Sequence, residues 1–265
     1  AEDGIRDISV WLEFRRVLFR SNLSLANQTI FGKYKSTINS QLFSLLRIDS
    51  PTLRYFTSNN SGGYQYVDYG SKFNSVVKLC AYDDKGKSCG SAVIIDKHWV
   101  LTAAHVVENC TKYSINFNNK EYILSKFILH PEYNTNIFGE YDIAIGYSEK
   151  PIEMEHYPKL YQNSDEIGKI CSIAGCGMTG TFYSGVNISD NKKRAGSNFI
   201  DKIEKKVLIC SPSRKNEKTT ELEYLICSGD SGGGLFIDGK LAGIHSSVIG
   251  YDEIGRAHVW TPVTL

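Results

Sequence analysis

Short runs of β-branched and aromatic residues, each followed by a polar turn, dominate the chain from about residue 73 onward. In the first half such runs include 76–79, 91–95 and 113–117, and 84–87 is one of the turns between them. A second series of apolar runs extends over 170–245. Many short strands at regular spacing predict an all-β barrel or sandwich.

The stretch before these strands has a different composition. Residues 22–66 are polar and rich in Asn and Ser, with a single apolar run at 42–46. An N-terminal extension and a pro-segment both fit this composition. We expect the folded unit to cover 67–252, with a first half at about 67–150 and a second half at about 165–252. The connection between the halves is predicted within 149–166, which contains two prolines.

The two ends of the chain do not resemble natural coding sequence. Residues 1–21 and 253–265 resemble translations of short-read sequencing adapter DNA, with Trp11 and Trp260 where the adapter has an opal stop codon. A basic amphipathic leader is the alternative for the first segment. We therefore expect the protein's own sequence to occupy about 22–252, so that any signal peptide and the last strand of the fold would be missing.

Composition and charge exclude some classes of function. The 265 residues are 42% hydrophobic and 22% charged, which is typical of soluble globular proteins. The formal net charge is +1, so we expect neither nucleic acid nor an anionic membrane as a partner. No apolar run reaches the length of about 18 residues that is needed to span a bilayer.

Cysteine usage favours an oxidising compartment. The chain has seven cysteines, and this odd number leaves at least one thiol unpaired or paired outside the chain. They are Cys80, Cys89, Cys110, Cys171, Cys176, Cys210 and Cys227. No CxxC pair occurs, so we expect no zinc or other metal, and nothing indicates a cofactor. We expect disulfides and secretion, with which five Asn-X-Ser/Thr sequons agree.

Three motifs carry candidate chemistry, in the order TAAH at 102–105, DIAI at 142–145 and GDSGG at 229–233. A Ser hydroxyl on a glycine-rich turn can attack a carbonyl when a base takes its proton. Together these motifs resemble those of the chymotrypsin-like serine endopeptidases. The resemblance implies two packed antiparallel six-stranded β-barrels, the second truncated at its C-terminal end, with the site in the cleft between them.

The resemblance also assigns roles to the residues of the motifs. Ser231 is the expected nucleophile, His105 the base, and Asp142 the residue that orients His105. The backbone N–H groups of Gly229 and Ser231 would form the oxyanion hole. GDSGG also fits the G-x-S-x-G motif of α/β-hydrolases, but that fold needs its acid and its His after the Ser. Only His245 and His258 follow Ser231.

The pocket for the substrate side chain is expected around two stretches. Leu225 and Ile226 fall at its base, and Ser246 and Val248 fall on its wall. Trypsin-like members carry Asp at the position of Leu225, whereas Leu offers no counter-charge to Lys or Arg. The sequence therefore predicts non-tryptic specificity for a small or aliphatic residue before the scissile bond.

An acidic specificity is the alternative. The segment 243–247 resembles the corresponding part of glutamyl endopeptidases and exfoliative toxins, where a His contacts an acidic substrate side chain. His245 with the hydroxyls of Ser228 and Ser246 could bind a carboxylate. A His in the barrel wall, bonded to backbone, fits the same segment.

Two further expectations concern activation and cross-linking. In the family, Asp230 pairs with an amine that cleavage of a pro-segment releases, but no Ile-Val-Gly-Gly-like sequence lies upstream here. An internal partner for Asp230 is therefore open. Cys89 and Cys110 bracket His105, and the resemblance favours a disulfide between them.

The expected partners follow from the same resemblance. They are protein or peptide substrates and a protein inhibitor, and the enzyme is expected to be a secreted monomer. A catalytically silent binding protein on the same scaffold is the alternative to an enzyme.

Overall fold

The computed structural model describes residues 63–136, 140–181, 185–211, 213, 218–251 and 256–262. Regular structure in this part is almost all β-strand, with two short helices, so the predicted all-β class is confirmed. The predictions for residues 1–62 fall outside the described residues. Within the described ranges, no helix is long and apolar enough to cross a bilayer.

Six antiparallel strands form a closed barrel in the first half, as predicted. They are β1 (Val76–Asp83), β2 (Gly86–Asp96), β3 (Trp99–Thr102), β4 (Lys112–Phe117), β5 (Lys120–Leu129) and β6 (Ala144–Ser148). Their order around the barrel is β1-β2-β3-β6-β5-β4. Side chains such as Leu79, Ile94 and Ile115 fill the interior and are almost completely buried. Closure pairs every strand of this half on both sides.

The described residues of the second half form ten strands. They are β7 (Ile170–Gly175), β8 (Thr179–Thr181), β9 (Gly185–Ile188), β10 (Arg194–Phe199), β11 (Lys202–Glu204), β12 (Val207–Cys210), β13 (Gly234–Ile237), β14 (Lys240–Ile244), β15 (Ser247–Tyr251) and β16 (Arg256–Pro262). In the described residues they form two four-stranded sheets, β10-β7-β13-β14 and β11-β12-β16-β15, and the pair β8-β9. A common core that includes Ile173, Leu208 and Leu235 joins the two sheets.

This half differs from the closed six-stranded barrel that the resemblance implies. The outer strands β10 and β14 meet irregular segments through single bridges, Ser197↔Glu223 and Leu160↔Leu241, instead of pairing with a further strand. Strand β16 lies inside the segment 253–265, which the sequence analysis assigns to adapter DNA. It pairs with β12 and β15, at the edge that the expected truncation would leave open.

A third cluster of buried side chains joins the two halves. It includes Val93 and Leu101 from the first half and Phe236 and Ile244 from the second. Helix α1 (Tyr64–Ser71), which precedes β1, packs on β10 of the second half. A Cβ on Gly70 would lie only 2.8 Å from the carbonyl oxygen of Lys193, so this close approach requires glycine.

The predicted disulfide between Cys89 and Cys110 is wrong. Cys89 is bonded to Cys80, which lies directly opposite it on the hairpin of β1 and β2. Directly opposed positions of an antiparallel pair bring the two Cβ atoms within the range that a disulfide needs. Cys110 is a free thiol whose Sγ lies 3.5 Å from the Glu108 carbonyl oxygen.

A second disulfide is expected to form under oxidising conditions. The buried thiols of Cys171 and Cys210 face each other across the second half, with the Sγ atoms 3.7 Å apart. Refolding with glutathione disulfide should join them by thiol–disulfide exchange. Closing a loop of 39 residues should raise the free energy of unfolding by about 3 to 4 kcal/mol. Denaturant unfolding of the oxidised and reduced protein measures this gain.

The variant Cys171→Ala is the matched control, because it keeps the bond between Cys80 and Cys89. The change in its free energy of unfolding on reduction should therefore report the bond between Cys80 and Cys89 alone. The expected bond would be contradicted if reduction lowered the free energy of unfolding of the oxidised wild type no more than that of Cys171→Ala. An intact mass that shows both thiols free would contradict it as well.

Candidate active site

The first half provides a histidine and a carboxylate in direct contact. His105 lies in the one-turn helix α2 (Ala104–Val107) just after β3, and Asp142 lies just before β6. The imidazole Nδ1 donates to Asp142 Oδ2 at 2.6 Å, and the His105 backbone N–H donates to Oδ1 at 2.9 Å. Because an ionised carboxylate only accepts, Nδ1 carries the proton and Nε2 is left as an acceptor.

A strained turn positions Asp142. Tyr141 has a left-handed backbone, with φ 55, and the Ile143 N–H donates to the Tyr141 carbonyl at 2.8 Å. The Tyr141 ring stacks on His130, with the ring centroids 4.7 Å apart. A bulky residue at positive φ is uncommon and needs such support from its surroundings. The turn directs the next side chain, Asp142, beneath His105.

The environment keeps Asp142 ionised. Only 3% of the residue is exposed, and this burial by itself raises the pKa of its carboxyl group. The hydrogen bonds and electrostatic attraction from His105, together with the hydroxyl of Ser246, outweigh burial, and the pKa of Asp142 is lowered below its usual value. The site therefore holds a negative charge beside the imidazole at neutral pH.

The glycine-rich turn of the second half presents Ser231 to the first half. Gly232 has φ +85, and a Cβ there would lie 2.1 Å from both the Ser91 carbonyl oxygen and Thr102 Oγ1. The Ser91 N–H donates to the Ser231 carbonyl at 2.8 Å. Only glycine permits this approach of two backbones, so the turn is fixed against β2 of the barrel.

Ser246 connects Ser231 to Asp142. The Ser231 hydroxyl donates to the Ser246 carbonyl at 3.1 Å, and the Ser246 hydroxyl donates to Asp142 Oδ2 at 2.5 Å. The structure thus brings Ser231, Asp142 and His105 into one hydrogen-bonded network through Ser246. Among the described residues, the Ser231 hydroxyl makes no hydrogen bond to His105. The bond from Ser246 to Asp142 was not predicted, because no sequence motif indicates a side-chain bond to a residue 104 positions away.

Two backbone donors lie beside Ser231. In the part of the chain that the structure describes, the N–H groups of Gly229 and Ser231 have no hydrogen-bond acceptor. The Gly229 carbonyl accepts the Ser91 hydroxyl at 2.9 Å, and its φ of +89 fixes the direction of the peptide. These two N–H groups are therefore free to bind an oxygen of a bound molecule.

The other residues predicted for the pocket have different environments. Leu225 is half-buried and Ser228 is exposed, whereas Ile226 is 5% exposed and belongs to the core of the second half. Val248 lies in β15, and its side chain falls outside the described residues. Leu225 is thus the predicted base residue that is both apolar and accessible.

His245 does not face the surface. It is completely buried, and among the described residues neither ring nitrogen has a hydrogen-bond partner. Burial lowers the pKa of its imidazole to about 3. The ring is therefore neutral at physiological pH. The structure gives no support to a contact between His245 and an acidic substrate side chain.

Known proteins share this fold and sequence pattern. Residues 62–265 match the family model named Trypsin. Kallikrein 1-related peptidase b1 of Mus musculus is 28% identical over 206 residues, which cover 67% of this chain and 76% of that protein. Trypsin I-P1 of Gallus gallus is 30% identical over 198 residues, which cover 66% and 75%. The structure of neuropsin, a serine protease of mouse brain, matches with a TM-score of 0.56 at 21% identity, over 71% of this chain and 89% of that one.

The chain therefore belongs to the trypsin family, whose members are serine-type endopeptidases. Membership in this family makes it a hydrolase that acts on proteins or peptides.

Proposed function

We propose that this enzyme hydrolyses peptide bonds through a Ser-His-Asp triad of Ser231, His105 and Asp142. The observation that carries the proposal is the hydrogen bond from His105 Nδ1 to Asp142 at 2.6 Å. It fixes the neutral tautomer in which Nε2 accepts a proton, and Ser231 is tied to the same carboxylate through Ser246. No described contact favours the silent binding protein, because all three residue types are present and connected.

The reaction follows from these positions. The Ser231 hydroxyl leaves the Ser246 carbonyl and turns to His105, since catalytic hydrogen bonds often form only when substrate is bound. His105 Nε2 takes the hydroxyl proton as the oxygen attacks the scissile carbonyl, and returns it to the leaving amine. Water then attacks the acyl-enzyme by the same route. Asp142 stabilises the imidazolium in both halves of the reaction.

The N–H groups of Gly229 and Ser231 form the oxyanion hole in this proposal. Both lack an acceptor among the described residues and flank the nucleophile on a turn that is fixed to β2. A pre-positioned donor stabilises the tetrahedral intermediate without reorganisation, and one such donor is worth about 3 kcal/mol.

The proposed specificity is for a small or aliphatic residue before the scissile bond. Leu225 offers apolar surface and no charge, so a buried Lys or Arg would lose its hydration without gaining a counter-ion. The burial of His245 supports this choice over an acidic preference, because a buried ring is poorly placed to meet a substrate carboxylate.

A fluorophosphonate probe tests the catalytic proposal, because it bonds to an activated Ser hydroxyl. The wild type should be labelled, Ser231→Ala should not be labelled, and His105→Ala should be labelled far more slowly. Ser228→Ala is the matched control, since Ser228 is an exposed serine of the same loop. Absence of labelling in a folded wild type would contradict the proposal and favour a binding function.

Cleavage of a peptide library tests the specificity. Cleavage after small or aliphatic residues should exceed cleavage after Lys or Arg by at least about 100-fold in kcat/KM, which corresponds to about 3 kcal/mol. Leu225→Asp should raise cleavage after Lys and Arg because it supplies the missing charge, and Leu225→Asn should not. Efficient wild-type cleavage after Arg would refute the pocket assignment, and cleavage after Glu that is lost in His245→Gln would favour the acidic alternative.

The proposed setting is extracellular, with the enzyme acting as a monomer that protein inhibitors control. The disulfide between Cys80 and Cys89 supports an oxidising compartment.

A further inference from the structure

A buried carboxylate lies directly beside the nucleophile, and its donors are neutral groups of the second half. Asp230 is completely buried. Its Oδ1 accepts the Gly177 N–H at 2.8 Å, and its Oδ2 accepts the Cys227 N–H at 3.0 Å and the Tyr224 hydroxyl at 3.2 Å. These bonds satisfy both carboxylate oxygens without an amine.

Tyr224 contributes the one oxygen donor in this group. Burial and the nearby carboxylate of Asp230 raise the pKa of Tyr224 well above its usual value, so its hydroxyl keeps its proton and donates. Burial also raises the pKa of Asp230, although the bonds from Cys227, Gly177 and Tyr224 oppose this rise. Each donor therefore matters, because a buried carboxylate that loses a partner is costly.

Helix α1 packs against Tyr224 through Tyr66. The Tyr66 ring lies against the Tyr224 ring, with the centroids 5.8 Å apart, and its hydroxyl donates to the Glu223 carbonyl at 3.2 Å. The Tyr69 hydroxyl lies 2.8 Å from Ser172 Oγ on β7. The helix thus contacts Glu223 and Tyr224, which precede the loop that contains Asp230, as well as the sheet beneath them.

The same helix occupies the stretch from which the family resemblance would release an activating amine. Local hydrogen bonds hold the two ends of this stretch, since Tyr66 and Val67 donate to the Gly63 carbonyl and Val76 donates to the Phe73 carbonyl. Lys193 secures the end of this stretch, since its Nζ donates to the Phe73 and Val76 carbonyls at 2.7 and 3.0 Å.

We propose that Tyr66, Tyr224 and Asp230 form a latch that holds the oxyanion loop 227–231 in its working shape while the backbone before β1 is intact. Tyr224 is a positioning residue in this latch, and α1 takes the place of a charge pair between Asp230 and a freed amine. The latch rests on the function proposed above and adds how its oxyanion hole is maintained.

The latch acts on catalysis through the backbone. Asp230 stands between the two residues whose N–H groups would bind the oxyanion, and its own N–H and carbonyl bond to Cys227 and Gly233 at 3.0 and 2.9 Å. If the Asp230 carboxylate loses its hydrogen bonds, the N–H groups of Gly229 and Ser231 lose their orientation together. Weakening the latch should therefore lower kcat and leave KM nearly unchanged, because these donors act on the transition state.

The test uses the full chain, with intact mass measured before and after the assay to show that the backbone is uncut. Tyr224→Phe removes one hydroxyl and keeps the ring, and Tyr66→Phe removes the bond to Glu223. Tyr161→Phe is the matched control, because Tyr161 likewise donates to a carboxylate, Asp165, at 2.5 Å elsewhere in the structure. We expect an active, uncut wild type, a kcat at least about tenfold lower in Tyr224→Phe with KM within about twofold, and an unchanged kcat in Tyr161→Phe.

Other outcomes separate the latch from the peptidase proposal. An intact chain that is inert, but becomes active after one cut within 62–76, would overturn the latch and keep the triad. Full activity in both Tyr224→Phe and Tyr66→Phe would also overturn the latch alone. A folded wild type that neither hydrolyses peptides nor takes up a fluorophosphonate, cut or uncut, would refute the catalytic proposal and the latch with it.

Discussion

Replacing Asp142 by Asn is expected to lower kcat by about four orders of magnitude while the fold is retained. The carboxylate accepts three hydrogen bonds, from the His105 ring, the His105 backbone and the Ser246 hydroxyl. An amide fits the same space but carries two N–H donors. Its NH₂ group favours the imidazole tautomer with an unprotonated Nδ1, and Nε2 then carries a proton and cannot accept one from Ser231.

Steady-state kinetics at neutral pH with an aliphatic peptide substrate measures this loss. Asp190→Asn is the control, since Asp190 pairs with Arg194 through contacts of 2.6 and 2.9 Å in the second half and has no part in the proposed triad. It should keep a kcat close to that of the wild type. A kcat for Asp142→Asn within tenfold of the wild type, in a protein with normal unfolding, would exclude Asp142 from the triad.

Replacing His245 by Leu is expected to remove much of the acid sensitivity of the fold. In the unfolded chain the imidazole binds a proton near pH 6.5, whereas in the folded protein it does so only near pH 3. Between these values the unfolded state binds more protons, so the free energy of unfolding falls as the pH falls. The full loss is about 4 to 5 kcal/mol, most of the stability of a marginal domain.

Denaturant unfolding at pH 7.5 and pH 4 measures this difference. The wild type should lose about 3 kcal/mol more than His245→Leu over this interval. At pH 7.5 the variant should be about as stable as the wild type, because both ring nitrogens lack partners among the described residues. His156→Leu, at an exposed position, should lose as much as the wild type. Equal losses in the wild type and in His245→Leu would show that His245 binds its proton equally well in both states.

The β-rich fold and the candidate site were predictable from the sequence because both depend on local patterns. Short strands with regular turns indicated an all-β protein, and the first barrel formed as predicted. Glycine is required at 232 for the close approach between two backbones, and this requirement makes the motif around Ser231 a strong indicator of the turn. His105 and Asp142 are brought together because β3 and β6 are neighbours in the barrel.

The features that the sequence analysis missed depend on register and on burial of both strand faces. Cys80 and Cys89 pair because the hairpin places them opposite each other, and a shift of one residue would separate them. Ile244 and His245 are consecutive and both completely or almost completely buried, so alternation along the strand could not indicate which side chain faces solvent. The second half leaves β10 and β14 bridged to irregular segments, which depends on long-range contacts and not on local pattern.

The closed first barrel and the open sheets of the second half imply an order of local unfolding. A sheet whose outer strands lack full partners opens at a lower free energy than a closed barrel, so amide protons of the second half should exchange with solvent first. The proposed base, His105, and Asp142 belong to the first half, and the proposed nucleophile, Ser231, belongs to the second. An opening that reaches the turn before β13 would separate Ser231 from His105, so we expect self-cleavage at high concentration to be carried out by intact molecules.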